Sequence, residues 1–179
     1  MIEKNIDLYT FFIFENKIKL TTFITEYISN KIKTSLKIKD RFKFCVCGGS
    51  TPRVIYEELS NLDLSWQDVD IFLGDERCVD PVSEESNTNM LKNSLLRNYA
   101  SKAFFCEVFK NKDLNDDLAK QFYLNTLKER FAGSPFKFDL TLLGLGDDGH
   151  TASLFPYENI NKDDLIITSF GKDLKRISL

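Results

Sequence analysis

Residues 136–146, FKFDLTLLGLG, decide the fold, because an apolar run of strand length ends there in two glycines. Strands that are buried on both faces of a parallel sheet have runs of this kind and end in turns. The sequence therefore predicts a buried strand, which continues into the segment GDDGHTASLFP up to Pro156. Gly144, Gly146 and Gly149 also spell G-x-G-x-x-G, the pattern of a dinucleotide-binding turn.

The glycine pattern is only a weak indication of a dinucleotide site. A dinucleotide fingerprint needs a long helix after the glycines, whereas Pro156 ends the following segment within two turns. Asp147 and Asp148 would also place negative charges beside a pyrophosphate, where like charges repel. We therefore expect these glycines to serve another purpose.

Strand and helix patterns alternate along the chain. Residues 17–37 have the apolar spacing of a helix, and further helices are expected at TPRVIYEELSN, after Ser86, and over residues 115–130. In the last of these the expected core positions are Leu118, Phe122, Leu124 and Leu127. Strands are expected at RFKFCVCGG, DVDIFLGDE, KAFFCEVF, LIITSF and KRISL. This alternation predicts an α/β domain with a mostly parallel sheet covered on both faces.

Composition and length exclude several classes of function. A chain of 179 residues suits one domain, and a net charge of −3 gives no broad basic surface for nucleic acid or anionic lipid. The apolar run LYTFFIF, residues 8–14, is too short to span a bilayer, so we expect a cytoplasmic protein without a membrane partner. The chain stops at Leu179, directly after a predicted strand, and we expect that residues 1–179 form one α/β domain that lacks a C-terminal segment.

The four cysteines predict buried, reduced thiols rather than a disulfide or a zinc site. Cys45 and Cys47 lie two apart in a predicted strand, where bridging geometry is poor. Zinc is also disfavoured because the chain has no C-x-x-C pair and a single histidine.

Polar residues follow three predicted strands, at the edge where ligands of open α/β sheets bind. In CGGSTPR, Gly48 and Gly49 let the backbone approach a ligand, while Ser50, Thr51 and the helix start favour a phosphate. The alternative, a tight turn with Thr51 as the helix N-cap, is equally compatible with the sequence.

The second segment, GDERCVDP, places Asp75, Glu76 and Arg77 directly after a predicted strand. Arg77 can face an anionic substrate and Asp75 can contact its hydroxyl groups. The alternative is an internal turn held by ion pairs among these three residues. The position at a strand end favours a binding site.

The third segment contains Asp148-Gly149-His150. His150 is the only histidine in the chain, and a neutral imidazole near pH 7 is suited to act as a general base. Asp148 can orient it. The alternative is a lone histidine that merely completes the loop, but the two other polar segments nearby favour a catalytic role.

At these residues the chain resembles the 6-phosphogluconolactonase family, within the glucosamine/galactosamine-6-phosphate isomerase-like proteins. The resemblance runs nearly the full length, through GGSTP, GDER with Ser86-Asn87, GLGDDGHTASLFP and KRISL. It implies a Rossmann-like three-layer α/β/α fold and hydrolysis of 6-phosphoglucono-δ-lactone to 6-phosphogluconate, the second step of the oxidative pentose phosphate pathway. It implies no metal and no organic cofactor.

The resemblance also implies roles for individual residues. His150 would take a proton from the attacking water, and Asp148 would align His150 or the water. Ser50 and Thr51, with Arg77 and Arg176, would hold the phosphate and sugar, and which arginine faces the phosphate and which the oxyanion stays open.

Two rival functions share the resemblance. A glucosamine-6-phosphate deaminase is expected to carry DEY in the second segment and an Asn-Glu pair after the histidine, where this chain has Arg77 and TASLFP. A sugar-phosphate-sensing module is expected to follow a DNA-binding helix-turn-helix, and the sequence shows no such segment before residue 40.

Overall fold

The computed structural model of the chain describes residues 1–110, 115–132, 136–156, 158–161, 163–171 and 173–179. The strands found there are β1 (Ile2–Ile6), β2 (Tyr9–Ile13), β3 (Phe42–Val46), β4 (Val69–Leu73), β5 (Asp75–Arg77), β6 (Phe104–Cys106), β7 (Leu140–Thr141), β8 (Ile167–Gly171) and β9 (Leu174–Ser178). The α-helices are α1 (Lys17–Ser35), α2 (Ser50–Ser60), α3 (Asn87–Lys92) and α4 (Asp116–Arg130).

A four-stranded parallel sheet in the order β6-β4-β3-β7 forms the centre of the molecule. Its strands β3 and β4 are apolar runs, as the sequence predicts, and β4 is buried throughout. Phe72 of β4 packs against Phe131 at the end of α4, with ring centroids 5.6 Å apart. Its neighbours Ile71 and Leu73 point to the opposite face and are fully buried as well. Both faces of the sheet are therefore covered, which confirms the predicted α/β class.

The helices begin where the sequence supplies side-chain caps. The side chains of Asn16, Ser86 and Asn115 each accept a hydrogen bond from a backbone N–H in the first turn of α1, α3 and α4, respectively. The four predicted helices are all present, although α3 is short. Helix α1 packs on α2, so these two helices cover the sheet together.

The predicted core face of α4 is partly wrong. Leu118 is 50% exposed, and the buried residues are Ala119, Tyr123 and Leu127, which lie four positions apart along one face. The Tyr123 hydroxyl donates a hydrogen bond to the Leu73 carbonyl over 2.7 Å, so its polar end is satisfied inside the core. The prediction therefore found Leu127 of this face and missed Ala119 and Tyr123.

The prediction of a long buried strand at FKFDLTLLGLG is also wrong. Strand β7 has only two residues, it is not fully buried, and it lies at the edge of the sheet. The following Leu143 and Leu145 are 52% and 81% exposed. Among the described residues no strand pairs with the outer side of β7, so the apolar run lacks the second neighbour that would bury it.

A second, antiparallel sheet in the order β5-β9-β8 joins the first through Gly74. The Gly74 N–H donates to the Val46 carbonyl over 2.8 Å, and the Gly74 carbonyl accepts from the Leu179 N–H over 2.9 Å. The segment GDER, predicted as a polar segment at the end of the strand DVDIFLGDE, instead forms a separate strand, β5, after Gly74. Strands β8 and β9 correspond to the predicted LIITSF and KRISL and form a hairpin.

Strands β1 and β2 form an exposed hairpin that the sequence patterns do not predict. Phe12 of this hairpin contacts Phe23 of α1, with ring centroids 4.8 Å apart. Within the described ranges, no helix has both the length and the apolar character needed to cross a bilayer.

Candidate active site

A cleft of about 620 Å³ lies at the carboxyl ends of the central strands. Ligands of open α/β sheets bind at this edge. The cleft is lined by every residue that the sequence analysis assigns to the site except Asp148, namely Gly48, Gly49, Ser50, Thr51, Asp75, Arg77, His150 and Arg176. The glycine-serine-threonine turn and the lone histidine therefore share one cleft.

The turn before α2 leaves the helix start open to a ligand. Gly49 occupies the N-cap position with a φ of 115°, a conformation that favours glycine, and no side chain caps the helix. Thr51 is therefore not the N-cap, and that alternative is wrong. Ser50 and Thr51 instead lie exposed in the first turn, where unpaired N–H groups and the helix dipole favour an anion.

Gly48 is needed because the Asn87 side chain fills the space beside it. A Cβ at position 48 would lie 2.0 Å from Asn87 Oδ1. The Asn87 Nδ2 donates to the Asp75 carbonyl over 2.9 Å, and Asn87 lines the cleft. Sequence reasoning missed Asn87 as a site residue, since its only signal is the Ser86-Asn87 pair in the family resemblance.

Asp75 ties the second segment to the third. Its Oδ2 accepts a hydrogen bond from the buried Ser153 hydroxyl over 2.7 Å, and the Ser153 N–H donates to Ser178 Oγ over 2.9 Å. The loop that carries His150 is thereby fixed to β5 and β9. Asp75 is buried and lines the cleft, and its Oδ2 is already used to hold the loop that carries His150.

Glu76 holds the start of α3. Its carboxylate accepts hydrogen bonds from the N–H groups of Arg77, Asn87 and Thr88 at 2.7–2.8 Å and from the Ser86 hydroxyl at 3.1 Å. Burial raises the pKa of the Glu76 carboxyl above its ordinary 4.5, although these N–H groups act in the opposite direction. Among the described residues neither Asp75 nor Glu76 forms a salt bridge with Arg77, so the ion-pair turn is wrong.

Two arginines lie directly opposite each other in the antiparallel sheet. Arg77 of β5 is paired with Arg176 of β9, and both line the cleft. Arg176 is 5% exposed and donates from Nε to the Gly171 carbonyl over 3.1 Å. The Nε of Arg77 is buried and has no hydrogen-bond partner among the described residues.

This pair of like charges creates a strong preference for an anion. Burial lowers the pKa of Arg176, and the charge of Arg77 lowers it further. Like charges directly opposite in a sheet are destabilising. A bound phosphate or oxyanion in the cleft would offset this repulsion.

Asp148 and His150 form a hydrogen-bonded pair. Asp148 Oδ1 contacts the imidazole Nδ1 and accepts from the His150 backbone N–H over 3.3 Å. The hydrogen bond to His150 lowers the pKa of the Asp148 carboxyl. With Nδ1–H donating to Asp148, the neutral ring presents Nε2 as an acceptor, and no described residue hydrogen-bonds to Nε2. Asp148 itself is 52% exposed and acts through His150.

Two glycines of G-x-G-x-x-G, Gly146 and Gly149, serve this pair. A Cβ at Gly146 would lie 2.3 Å from His150 Cε1 and Nδ1. The Gly146 N–H donates to the His150 carbonyl over 2.8 Å, and Gly149 turns the chain with a φ of 86°. Residues 147–156 contain no helix. The arrangement lacks what a dinucleotide fingerprint requires and instead builds a tight loop around an imidazole.

The cysteines are free thiols. Cys47 lines the cleft but is 4% exposed, and burial raises the pKa of its thiol, so it stays protonated and is a poor nucleophile. In the part of the chain that the structure describes, no group of three or more His, Cys, Asp or Glu residues is placed to hold a metal ion.

A larger cavity of about 750 Å³ lies between α1 and α2. Its lining contains neither His150 nor the two arginines. We assign the site to the smaller cleft, because titratable and anion-binding groups converge there.

The fold and the cleft together define an α/β protein with a candidate anion-binding site beside a candidate general base. The chain belongs to the family described as glucosamine-6-phosphate isomerases/6-phosphogluconolactonase, whose model matches residues 15–179.

Relatives and solved structures of this family resemble the chain. It is 36% identical over 152 residues to a 6-phosphogluconolactonase of Nostoc, which covers 83% of this chain and 63% of the relative. It is 36% identical over 165 residues to a 6-phosphogluconolactonase of Helicobacter pylori, with coverages of 89% and 69%. The chain thus spans roughly two thirds of the length of these relatives.

Solved structures agree with the fold. A 6-phosphogluconolactonase from Shewanella baltica gives a TM-score of 0.77 at 28% identity, covering 93% of this chain and 72% of that one. A 6-phosphogluconolactonase from Thermotoga maritima gives a TM-score of 0.76 at 30% identity, with coverages of 89% and 72%.

Proposed function

We propose that this chain hydrolyses 6-phosphoglucono-δ-lactone to 6-phosphogluconate. The observation that carries the proposal is that the Asp148-supported imidazole of His150 and the paired arginines, Arg77 and Arg176, belong to one cleft. Relatives named 6-phosphogluconolactonase support the same reaction. The reaction would be the second step of the oxidative pentose phosphate pathway, and we place it in the cytoplasm, without nucleic acid or membrane partners.

His150 acts as the general base in this scheme. A water molecule attacks the C1 carbonyl of the lactone, and Nε2 takes its proton as the new C–O bond forms. The tetrahedral intermediate then collapses, the bond from C1 to the ring oxygen breaks, and the imidazolium returns the proton to that oxygen. Asp148 keeps the proton of the neutral ring on Nδ1 and stabilises the imidazolium.

The cationic groups hold the phosphate and the developing oxyanion. The first turn of α2, with Ser50 and Thr51, and the arginines Arg77 and Arg176 supply the donors. Because Arg176 is buried and fixed to Gly171, it needs little reorganisation when negative charge develops. A phosphate held by these donors orients the lactone against His150, and such positioning contributes strongly to the reaction rate.

The sequence around the histidine favours hydrolysis over deamination. A deaminase-type reaction would need an acidic side chain soon after His150, and residues 151–156, TASLFP, carry none. In the second segment Arg77 follows Asp75-Glu76, whereas the deaminase pattern DEY has a tyrosine at that position. Opening a lactone requires only an activated water, which the Asp148–His150 pair can supply.

Initial-rate measurements with freshly prepared lactone test the proposal. His150→Gln should lower the background-corrected kcat by about 10²- to 10⁴-fold, the usual contribution of a general base. Asp63→Asn is the control, because Asp63 is exposed and does not line the cleft. A His150→Gln protein that is folded and as fast as the parent would remove His150 from this role.

A further inference from the structure

We infer that Phe155 is a positioning residue that holds the His150 imidazole against the strand pair carrying Arg176. The inference rests on the proposed function, because it gives Phe155 a part in the general-base step. Phe155 lies five residues after His150 in the same loop, and the scheme above does not use it.

Phe155 supplies the restraint that Asp148 cannot. The rings of His150 and Phe155 stack with centroids 4.9 Å apart and an interplanar angle of 29°. Asp148 holds only the Nδ1 edge of the imidazole and is 52% exposed, so water competes for that contact. An aromatic face stacked on the imidazole resists tilting of the ring, and tilting is the motion that would misdirect Nε2.

The second contact of Phe155 is between the far end of its ring and the backbone of β8. A Cβ at Gly171 would lie 2.0 Å from Phe155 Cζ and 2.4 Å from Cε2. The ring therefore rests on a glycine at which any side chain would displace it. Gly171 accepts a hydrogen bond from Arg176 Nε over 3.1 Å, and the Arg176 guanidinium carbon is 5.7 Å from the Phe155 centroid.

One aromatic ring thus contacts both the base and the strand pair that carries the buried cation. These two contacts place the imidazole beside the strand pair that carries Arg176. Two changes alter the contacts separately. Phe155→Leu removes the flat face that stacks on His150, and Gly171→Ala displaces the far end of the ring from β8.

The kinetic test separates positioning from substrate binding. Phe155→Leu and Gly171→Ala should each lower kcat by about 10- to 100-fold, the scale of an ångström-sized misplacement, with KM changed by less than about threefold. In the double variant the smaller Leu side chain leaves room for the added Cβ, so its melting temperature should recover while kcat stays low. Recovery of both quantities would show a merely structural role and overturn the inference.

A spectroscopic test needs no turnover. His150 is the only histidine, so its imidazole proton resonances are unambiguous in NMR spectra. Ring currents from the stacked Phe155 should displace them upfield in the parent, and Phe155→Leu should abolish this displacement. Unchanged resonances would overturn the inference. If Phe155→Leu abolishes the displacement but the parent protein does not hydrolyse the lactone, the proposed function is refuted. The contact between Phe155 and His150 is then still supported.

Discussion

Gly146→Ala should disable the site without unfolding the protein. The new Cβ would lie 2.3 Å from His150 Cε1 and Nδ1 and 2.7 Å from Asp148 Oδ1, whereas ordinary contacts begin near 3.4 Å. The imidazole must therefore retreat by about 1 Å, and a misplacement of that size can lower a rate by about 10²-fold. Because most residues of the loop from Gly144 to Gly149 are exposed, the loop can shift with the ring at little cost to the folded state.

Gly144→Ala is the matched control for this prediction. It makes the same chemical change two residues earlier in the same loop, and its Cβ would meet no atom within 4 Å. Both variants and the parent would be compared by background-corrected initial rates and by thermal melting. Equal activity of the two variants would refute the reasoning that Gly146 is a glycine in order to admit the imidazole.

Three further outcomes are expected. Asp148→Asn should lower kcat by roughly 10- to 100-fold, less than His150→Gln, while Asp63→Asn, outside the cleft, leaves it unchanged in the same assay. 6-Phosphogluconate at a hundredfold excess over its Kd should stabilise the fold by about 2.7 kcal/mol, which raises Tm by roughly 5–10 °C, whereas NAD should leave Tm unchanged. A larger Tm shift with NAD than with 6-phosphogluconate in thermal-shift measurements would favour the dinucleotide interpretation. The pKa of Glu76 is raised in the folded state, so folding favours the protonated carboxyl. The free energy of unfolding from denaturant titrations should therefore fall as the pH rises above 4.5, and this fall should be absent in Glu76→Gln.

The central sheet was predictable because its strands carry their own signals. Strands β3 and β4 are apolar runs that are followed by glycines. Helix α1 has amphipathic periodicity, and the Asn16 side chain caps its N-terminus. These are local properties of the chain, so the sequence alone reveals them.

The parts that escaped prediction depend on partners distant in the chain. Strand β5 consists of Asp75, Glu76 and Arg77, which show no apolar alternation, and it is a strand only because β9 pairs with it. The run after Phe138 looks like a buried strand, yet strand β7 is a short edge strand that ends at Thr141, and Leu143 and Leu145 lie exposed in the segment that follows. Pairing and edge position are set by the whole sheet and leave no local trace.

The site was predictable as a set of segments and not as a set of contacts. The rule that ligands bind beyond the carboxyl ends of parallel strands brings the three polar segments together. The contacts of Gly146 with His150, of Gly48 with Asn87 and of Gly171 with Phe155 depend on distances of a few ångströms. Only the folded arrangement shows why those glycines are needed.

The most direct test of one shared cleft is a titration of the protein with 6-phosphogluconate, followed at the resonances of its single histidine. The account predicts a saturable change at His150, and Arg176→Met should weaken the affinity while gluconate, which lacks the phosphate, leaves the resonances unchanged. A phosphorylated ligand that binds without disturbing His150, or an equal response to gluconate, would contradict it.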